Sequence, residues 1–121
     1  MKILLVDDDI LLRDMYKTKF VEQGDEVVTA RDGEEALEAI TKDNFDVMIT
    51  DMVMPGMTGT ELIRAVKTKE ENKNVFCIVL SNQSEPTDIK DAEEAGADGY
   101  IVKAELIPSA VVNRVHELIK R

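Results

Sequence analysis

Short apolar segments alternate along this chain with longer segments of helical periodicity. The apolar segments are typical of β-strands and cover residues 2–6, 26–30, 46–50, 75–80 and 99–102. The segments that follow them predict helices over residues 10–23, 33–42, 59–69, 87–95 and 107–120. Because strands such as 75–80 are apolar on both faces, we expect an α/β fold of (βα)5 order with a doubly wound, parallel, five-stranded sheet.

Residues that favour helix ends support these boundaries. Asp9 directly precedes the first helical segment, where an N-cap is expected. Thr58 and Glu61 have the spacing of a capping box, and Gly96 stands where a helix C-terminal cap belongs. The helix over 87–95 offers only Ile89 and two alanines to a core, so it is either a loosely held switching element or a solvated surface helix.

Composition and charge exclude several classes of protein. A length of 121 residues suits one domain, which we place over residues 1–121. The net charge of −10 would repel nucleic acid and anionic membranes, so we expect neither as a direct partner. We find no signal peptide and no apolar run of membrane-spanning length, and we expect a cytoplasmic protein. The single cysteine, Cys77, excludes a disulfide framework and is expected to be a buried thiol.

Charged residues follow three of the predicted strands. Asp7 and Asp8 follow the first strand, Asp51 follows the third and Lys103 follows the fifth. Parallel strands end at one edge of the sheet, where open α/β folds bind ligands, so these side chains should meet in one pocket. Clustered carboxylates repel one another unless a cation lies among them, and oxygen ligands select a hard ion such as Mg²⁺.

Such a pocket suits a phosphoryl group. Asp8 and Asp51 can bind Mg²⁺ directly and Asp7 through a water, and Mg²⁺ usually shares its remaining positions with a phosphate. Lys103 can hold a phosphoryl oxygen, and Ser81, after the fourth apolar run, can donate a hydroxyl hydrogen bond. Because an aspartate carboxylate can act as a nucleophile, Asp51 is the candidate for an aspartyl phosphate.

These motifs together resemble the receiver domain of bacterial two-component response regulators. The resemblance spans almost the whole chain and is carried by Asp7-Asp8, by Asp51 in the segment DMVMPGMTG, by Ser81 and by the segment GADGYIVK that ends at Lys103. It implies a flavodoxin-like fold with strand order 2-1-3-4-5. It also implies a signalling switch in a two-component system rather than a turnover enzyme.

The resemblance further implies a role for each site residue. Asp51 would accept a phosphoryl group from a sensor histidine kinase, a phosphotransfer protein or a small phosphodonor, and Val53 would supply a metal-binding backbone carbonyl. Ser81 and Tyr100 would form the switch, with the hydroxyl moving toward the phosphoryl group and the ring turning inward. The downstream protein partner is unknown, and the chain would be a monomer or a phosphorylation-dependent dimer.

The sequence departs from the family pattern at two positions. Ala104 replaces the proline that usually follows the site lysine, so the Lys103-Ala104 bond is either trans, with a shifted loop, or a strained cis bond that costs about 3 kcal/mol. Asn82 is bulkier than the usual small residue and narrows the approach to Asp51. Separately, Val53 and Gln83 overlook the path of a hydrolytic water without offering an acid, so we expect a long-lived phosphoryl state.

Three alternative functions fit the sequence less well than a receiver domain. A haloacid-dehalogenase-like phosphatase also uses an aspartate nucleophile with Mg²⁺, but Leu11 stands where that motif has Thr or Val. A flavodoxin-like cofactor carrier would place its flavin phosphate against the acids at residues 7–9, which would repel the phosphate. A phosphorylation-independent pseudo-receiver conflicts with the intact charged residues. His116, the only histidine, is interpreted as a surface residue and permits no histidine relay.

Overall fold

A computed structural model describes residues 1–120, so Arg121, the last residue of the predicted domain, lies outside the description. Strands and α-helices alternate as β1 (Lys2–Val6), α1 (Ile10–Glu22), β2 (Glu26–Ala30), α2 (Gly33–Lys42), β3 (Val47–Thr50), α3 (Gly59–Thr68), β4 (Phe76–Ser81), α4 (Pro86–Ala95), β5 (Gly99–Val102) and α5 (Pro108–Ile119). Short 3-10 helices, Glu70–Asn72 and Lys103–Glu105, precede β4 and follow β5. The predicted (βα)5 order is confirmed, and each predicted boundary lies within one residue of the observed one.

The five strands form one parallel sheet in the order β2-β1-β3-β4-β5. Alternate residues of each strand face opposite sides, and both sides are covered by helices. On one side α2, α3 and α4 pack on Leu4, Met48 and Val79. On the other side α1 and α5 pack on Ile3 and Ile78. The predicted doubly wound, flavodoxin-like fold is confirmed.

Side-chain and glycine caps fix the ends of several helices. The Asp9 carboxylate accepts hydrogen bonds from the backbone N–H groups of Leu11 and Leu12, which confirms its interpretation as the N-cap of α1. Thr58 begins α3 with a complete capping box. Gly96 ends α4 in the left-handed conformation, at φ 111°.

Two further sequence interpretations meet different outcomes. Cys77 is fully buried in β4, and this burial raises the pKa of its thiol to about 12, which confirms the expected buried thiol. His116, by contrast, is not a plain surface residue. Its Nε2 lies 2.6 Å from Oδ2 of Asp25, whose Oδ1 accepts a hydrogen bond from the Met1 amino group at 3.1 Å.

None of the helices in the described chain is both long and apolar enough to cross a membrane.

Candidate functional site

Three carboxylates meet at the edge of the sheet where the strands end. Asp7 and Asp8 leave β1 and Asp51 leaves β3, and Val6 and Thr50 are register partners in these neighbouring strands. One carboxylate oxygen from each acid lies within 4.8 Å of the other two. Asp7 is buried, Asp51 is half-buried and Asp8 is exposed. The structure therefore brings together the acids that the sequence placed at this edge.

Lys103 joins two of these acids. Its Nζ donates hydrogen bonds to Oδ2 of Asp7 at 2.9 Å and to Oδ2 of Asp51 at 2.8 Å, and its side chain is only 8% exposed. Burial by itself lowers the pKa of the ammonium, but the hydrogen bonds to Asp51 and Asp7 outweigh burial, and the pKa is raised. Lys103 therefore stays cationic around neutral pH and partly neutralises the acidic cluster.

Backbone groups occupy the remaining oxygens of the same two acids. The N–H of Asp9 donates to Oδ1 of Asp7 at 2.9 Å, and the N–H of Met52 donates to Oδ1 of Asp51 at 2.7 Å. These bonds hold both carboxylates in fixed orientations. The described residues give the Asp8 carboxylate no such donor, and it faces solvent at the rim of the cluster.

The donor set fits a hard divalent cation. Three formally anionic carboxylates and one ammonium leave a net charge of −2, and all the metal-ligating side-chain atoms of the cluster are oxygens. Val53 lies in the loop between Asp51 and α3, and its side chain is 61% exposed. Val53 is two residues from Asp51, a candidate metal ligand, so its backbone carbonyl is close in sequence to the carboxylate cluster.

Ser81 and Tyr100 are connected through the main chain of one residue, Gln83. The Gln83 N–H donates to Oγ of Ser81 at 3.2 Å, and the Tyr100 hydroxyl donates to the Gln83 carbonyl at 2.7 Å. Ser81 is buried and Tyr100 is half-buried. Burial raises the pKa of the Tyr100 phenol, and the charge of Asp88 raises it further. The loop between β4 and α4 is therefore hydrogen-bonded, through Gln83, to both predicted switch residues.

Two features of the site were not found by sequence reasoning. At Gly59, an added Cβ would overlap the carbonyl oxygen of Asp51 and lie 3.0 Å from Cα of Met52. The guanidinium of Arg13 donates to the Asp7 carbonyl at 3.3 Å. The close approach at Gly59 could have been suspected, because a glycine begins a helix directly after the loop that follows Asp51. Nothing in the sequence indicates the contact of Arg13. The open question at Lys103-Ala104 is answered, because all described peptide bonds are trans.

Comparison with known proteins agrees with this geometry. The family model for the response regulator receiver domain matches residues 3–115. The chemotaxis protein CheY of Pseudomonas aeruginosa is 38% identical over 104 residues, which are 85% of this chain and 84% of that protein. CheY-3 of Vibrio cholerae is 36% identical over 85% of this chain and 80% of its own length.

Solved structures give the same result. The structure of the chemotaxis response regulator CheY4 of Vibrio cholerae superposes with a TM-score of 0.90 at 35% identity and covers 97% of each chain. The likeness therefore extends over nearly the whole of the described fold. The chain therefore belongs to the response regulator receiver domain family.

Proposed function

We propose that residues 1–121 form one receiver domain in which Asp51 accepts a phosphoryl group. The observation that carries this proposal is the fixed orientation of the Asp51 carboxylate, with Oδ1 on the Met52 N–H and Oδ2 on the Lys103 ammonium. A carboxylate oxygen held next to a buried cation can approach the phosphorus of an incoming group without first losing its orientation.

The transfer makes one bond and breaks one. An Asp51 carboxylate oxygen attacks phosphorus, a P–O bond forms, and the P–N bond to a donor histidine breaks with the electron pair returning to the imidazole ring. Lys103 then has a phosphoryl oxygen as a further acceptor, and the Ser81 hydroxyl, whose Oγ accepts from the Gln83 N–H, can move toward another phosphoryl oxygen and donate its own O–H to it. The Tyr100 hydroxyl donates to the Gln83 carbonyl, so a movement of Ser81 away from the Gln83 N–H also affects the segment that binds Tyr100.

We propose Mg²⁺ as the cofactor. Asp8 and Asp51 would bind the ion directly, Asp7 through a water, and Val53 would supply its backbone carbonyl. The oxygen-only donor set and the net charge of −2 support this choice. When bound, the ion supplies positive charge to phosphoryl oxygens. Lys103 and the two backbone donors orient Asp7 and Asp51 for this role.

The proposed donors are a sensor histidine kinase or a phosphotransfer protein, and the rim of the site suits a protein surface. Large aliphatic side chains are exposed around this edge: Ile10 is 59% exposed, Leu11 79%, Val53 61% and Ile107 69%. They lie at the start of α1, in the loop after Asp51 and at the start of α5. Exposed apolar groups clustered around a charged site mark an interaction surface.

We further propose that the domain acts in the cytoplasm as a signalling switch without substrate turnover. Its altered surface would be presented to an unidentified downstream protein, as a monomer or a phosphorylation-dependent dimer, with no direct contact to nucleic acid or membrane. The net charge of −10 supports the last point.

The decisive experiment is treatment with a small acyl phosphate and Mg²⁺, followed by intact-mass measurement. We expect one added phosphoryl group on the wild type and none on Asp51→Asn, which keeps the size of the side chain but lacks the nucleophilic carboxylate. Asp14→Asn, which changes an exposed acid on α1, should be phosphorylated like the wild type. Phosphorylation of Asp51→Asn to the same extent would refute the assignment.

A further inference from the structure

Arg13 carries the one buried side-chain polar atom among residues 1–120 that has no hydrogen-bond partner. This atom is Nε, and the residue as a whole is half-buried. Arg13 also lies at the end of the first turn of α1, where the positive end of the helix dipole disfavours a cation. Both features are unfavourable by themselves, because burying an unpaired nitrogen of a charged group costs free energy. A residue that breaks two local rules is expected at a functional site.

The guanidinium of Arg13 reaches the main chain between two of the site acids. Within the described chain its one hydrogen bond runs from Nη1 to the carbonyl of Asp7, at 3.3 Å. That carbonyl belongs to the peptide bond between Asp7 and Asp8. Arg13 therefore restrains the direction of the peptide that leads into Asp8.

Asp8 is the site acid whose position depends most on the main chain. Its side chain is exposed, and the described residues give its carboxylate no donor. The peptide before Asp8 is held by Arg13, and the peptide after it is held by the N–H of Asp9, which donates to Oδ1 of Asp7. These two anchored peptides set the direction in which the Asp8 side chain leaves the loop.

The charge of Arg13 and its hydrogen bond have opposite effects on a divalent cation. A positive charge beside the carboxylate cluster repels the ion, so removal of the charge alone would tighten binding. Removal of the hydrogen bond frees the peptide before Asp8, so the carboxylate loses its orientation and binding weakens. The direction of the change in Kd therefore distinguishes positioning from charge.

We propose that Arg13 is a positioning residue that directs the Asp8 carboxylate toward the metal position through the Asp7–Asp8 peptide. This inference rests on the proposed function, in which Asp8 binds Mg²⁺ directly. Arg13 acts on the ion through the main chain, and the cost of its buried Nε is the cost of keeping a long, planar donor beneath this loop.

The test is a titration of the ¹⁵N-labelled full-length protein with Mg²⁺, with the Kd read by NMR from the amide signals of Asp8 and Asp51. Arg13→Met keeps an unbranched side chain but removes the charge and the donors. It should weaken Mg²⁺ binding about tenfold, as the loss of groups that orient metal ligands commonly does. Arg13→Lys keeps a charged donor and should restore most of the affinity. Lys17→Met removes the same charge from an exposed position on the next turn of α1, and should bind at least as tightly as the wild type.

A measurement on the metal-free protein separates positioning from a general loss of stability. In Arg13→Met, the amide hydrogen of Asp9 should exchange with solvent faster than in the wild type, because the loop that places it on Asp7 is freed. The amide hydrogen of Met52, held on Asp51 in the same way, should keep its exchange rate. Equal acceleration of both amides would show a general loss of stability and would overturn the inference.

The outcomes separate this inference from the proposed function. Saturable Mg²⁺ binding by the wild type, with an unchanged or lower Kd in Arg13→Met, overturns the role of Arg13 and leaves the metal assignment intact. Absence of Mg²⁺ binding by the wild type overturns both. If Arg13→Met does not fold, the Nε–H signal of Arg13 in the wild type decides. It should shift with the Kd read from Asp8, and a signal that does not respond to Mg²⁺ overturns the inference.

Discussion

At Gly59 the geometry of the site depends on the absence of a side chain. This glycine opens α3, and its N–H donates to the Met52 carbonyl at 2.9 Å. The close approach brings the helix start against the peptide that follows Asp51, where no Cβ can be placed without moving backbone. The orientation of the Asp51 carboxylate, which accepts from the Met52 N–H, therefore depends on Gly59.

We predict that Gly59→Ala displaces the Asp51–Met52 peptide. Forced backbone shifts of this kind cost about 1–3 kcal/mol of unfolding free energy, and phosphorylation by an acyl phosphate should slow as well. Denaturant unfolding and intact mass measure the two effects. Gly99→Ala is the matched control, because its added Cβ would chiefly meet the flexible tip of Leu118, at 3.0 Å. Equal effects of the two substitutions would contradict the prediction.

Under the proposed function, we expect single residues to set the lifetime of the phosphoryl group. The Val53 side chain cannot hydrogen-bond a hydrolytic water, and the neutral carboxamide of Gln83 cannot deprotonate one as a carboxylate could. We predict that Val53→Asn and Gln83→Glu each shorten the lifetime several-fold, since an oriented or deprotonated water is a better nucleophile. Loss of the added mass over time measures it. Val53→Leu should keep the wild-type lifetime, and the idea fails if the polar variants are no faster.

The sequence predicts which residues meet at the site where their order along the chain determines their place in the fold. It does not predict contacts that depend on how distant segments pack together. The acids and Lys103 follow strands, so parallel pairing alone assigns them to one edge. The His116–Asp25 contact joins residues 91 positions apart, and no local pattern indicates it. The same holds for the overlap of Gly59 with the Asp51 carbonyl, which depends on how α3 approaches the sheet.

At the scale of elements, the boundaries followed from hydrophobic periodicity and caps. The fourth strand is an instructive difference, because it ends at Ser81 rather than at residue 80. Ser81 pairs with Val102 of β5, so a polar residue joins the strand through its neighbour. A pattern of apolar residues cannot show this extension, since pairing between strands decides it.

The helix α4 buries less apolar surface than its neighbour α3. Its buried residues are Ala92 and Ala95, whereas α3 buries Leu62, Ile63 and Val66 among others. Among residues 1–120, the charged side chains of α4 form no salt bridge, whereas Lys67 of α3 pairs with Asp98 at 3.0 Å. Fewer buried contacts place α4 at the low end of local stability.

We predict that α4 exchanges its amide hydrogens faster than α3 under native conditions. Hydrogen exchange read by mass spectrometry measures both helices in one experiment. Lys90→Ala, on the exposed face of α4, should leave this order unchanged. Equal protection of the two helices would show that α4 is held as firmly as α3.

At the scale of the whole molecule, folding assembles a cluster of like charges. Among the described side chains, Lys103 is the one cation that pairs directly with the site carboxylates, so the metal-free fold carries a repulsion that an added divalent cation lowers. Binding of an ion to the native state stabilises it by mass action.

We predict that millimolar Mg²⁺ raises the melting temperature. At ten times its Kd, a ligand that binds only the native state contributes about 1.4 kcal/mol. Asp8→Asn should raise the stability of the metal-free protein and reduce the response to Mg²⁺, whereas Asp14→Asn, an exposed change on α1, should retain the response. Thermal unfolding followed by circular dichroism measures all three proteins. An unchanged melting temperature in the wild type would remove the metal assignment.

The bond between Lys103 and Asp7 connects positions 96 residues apart. During synthesis on the ribosome, Asp7 and Asp51 emerge well before the lysine that holds them. A chain that stops before Lys103 therefore carries Asp7 and Asp51 without the cation that joins them. We therefore expect such a chain to accept no phosphoryl group, because the orientation of the Asp51 carboxylate needs residues from both halves of the sequence.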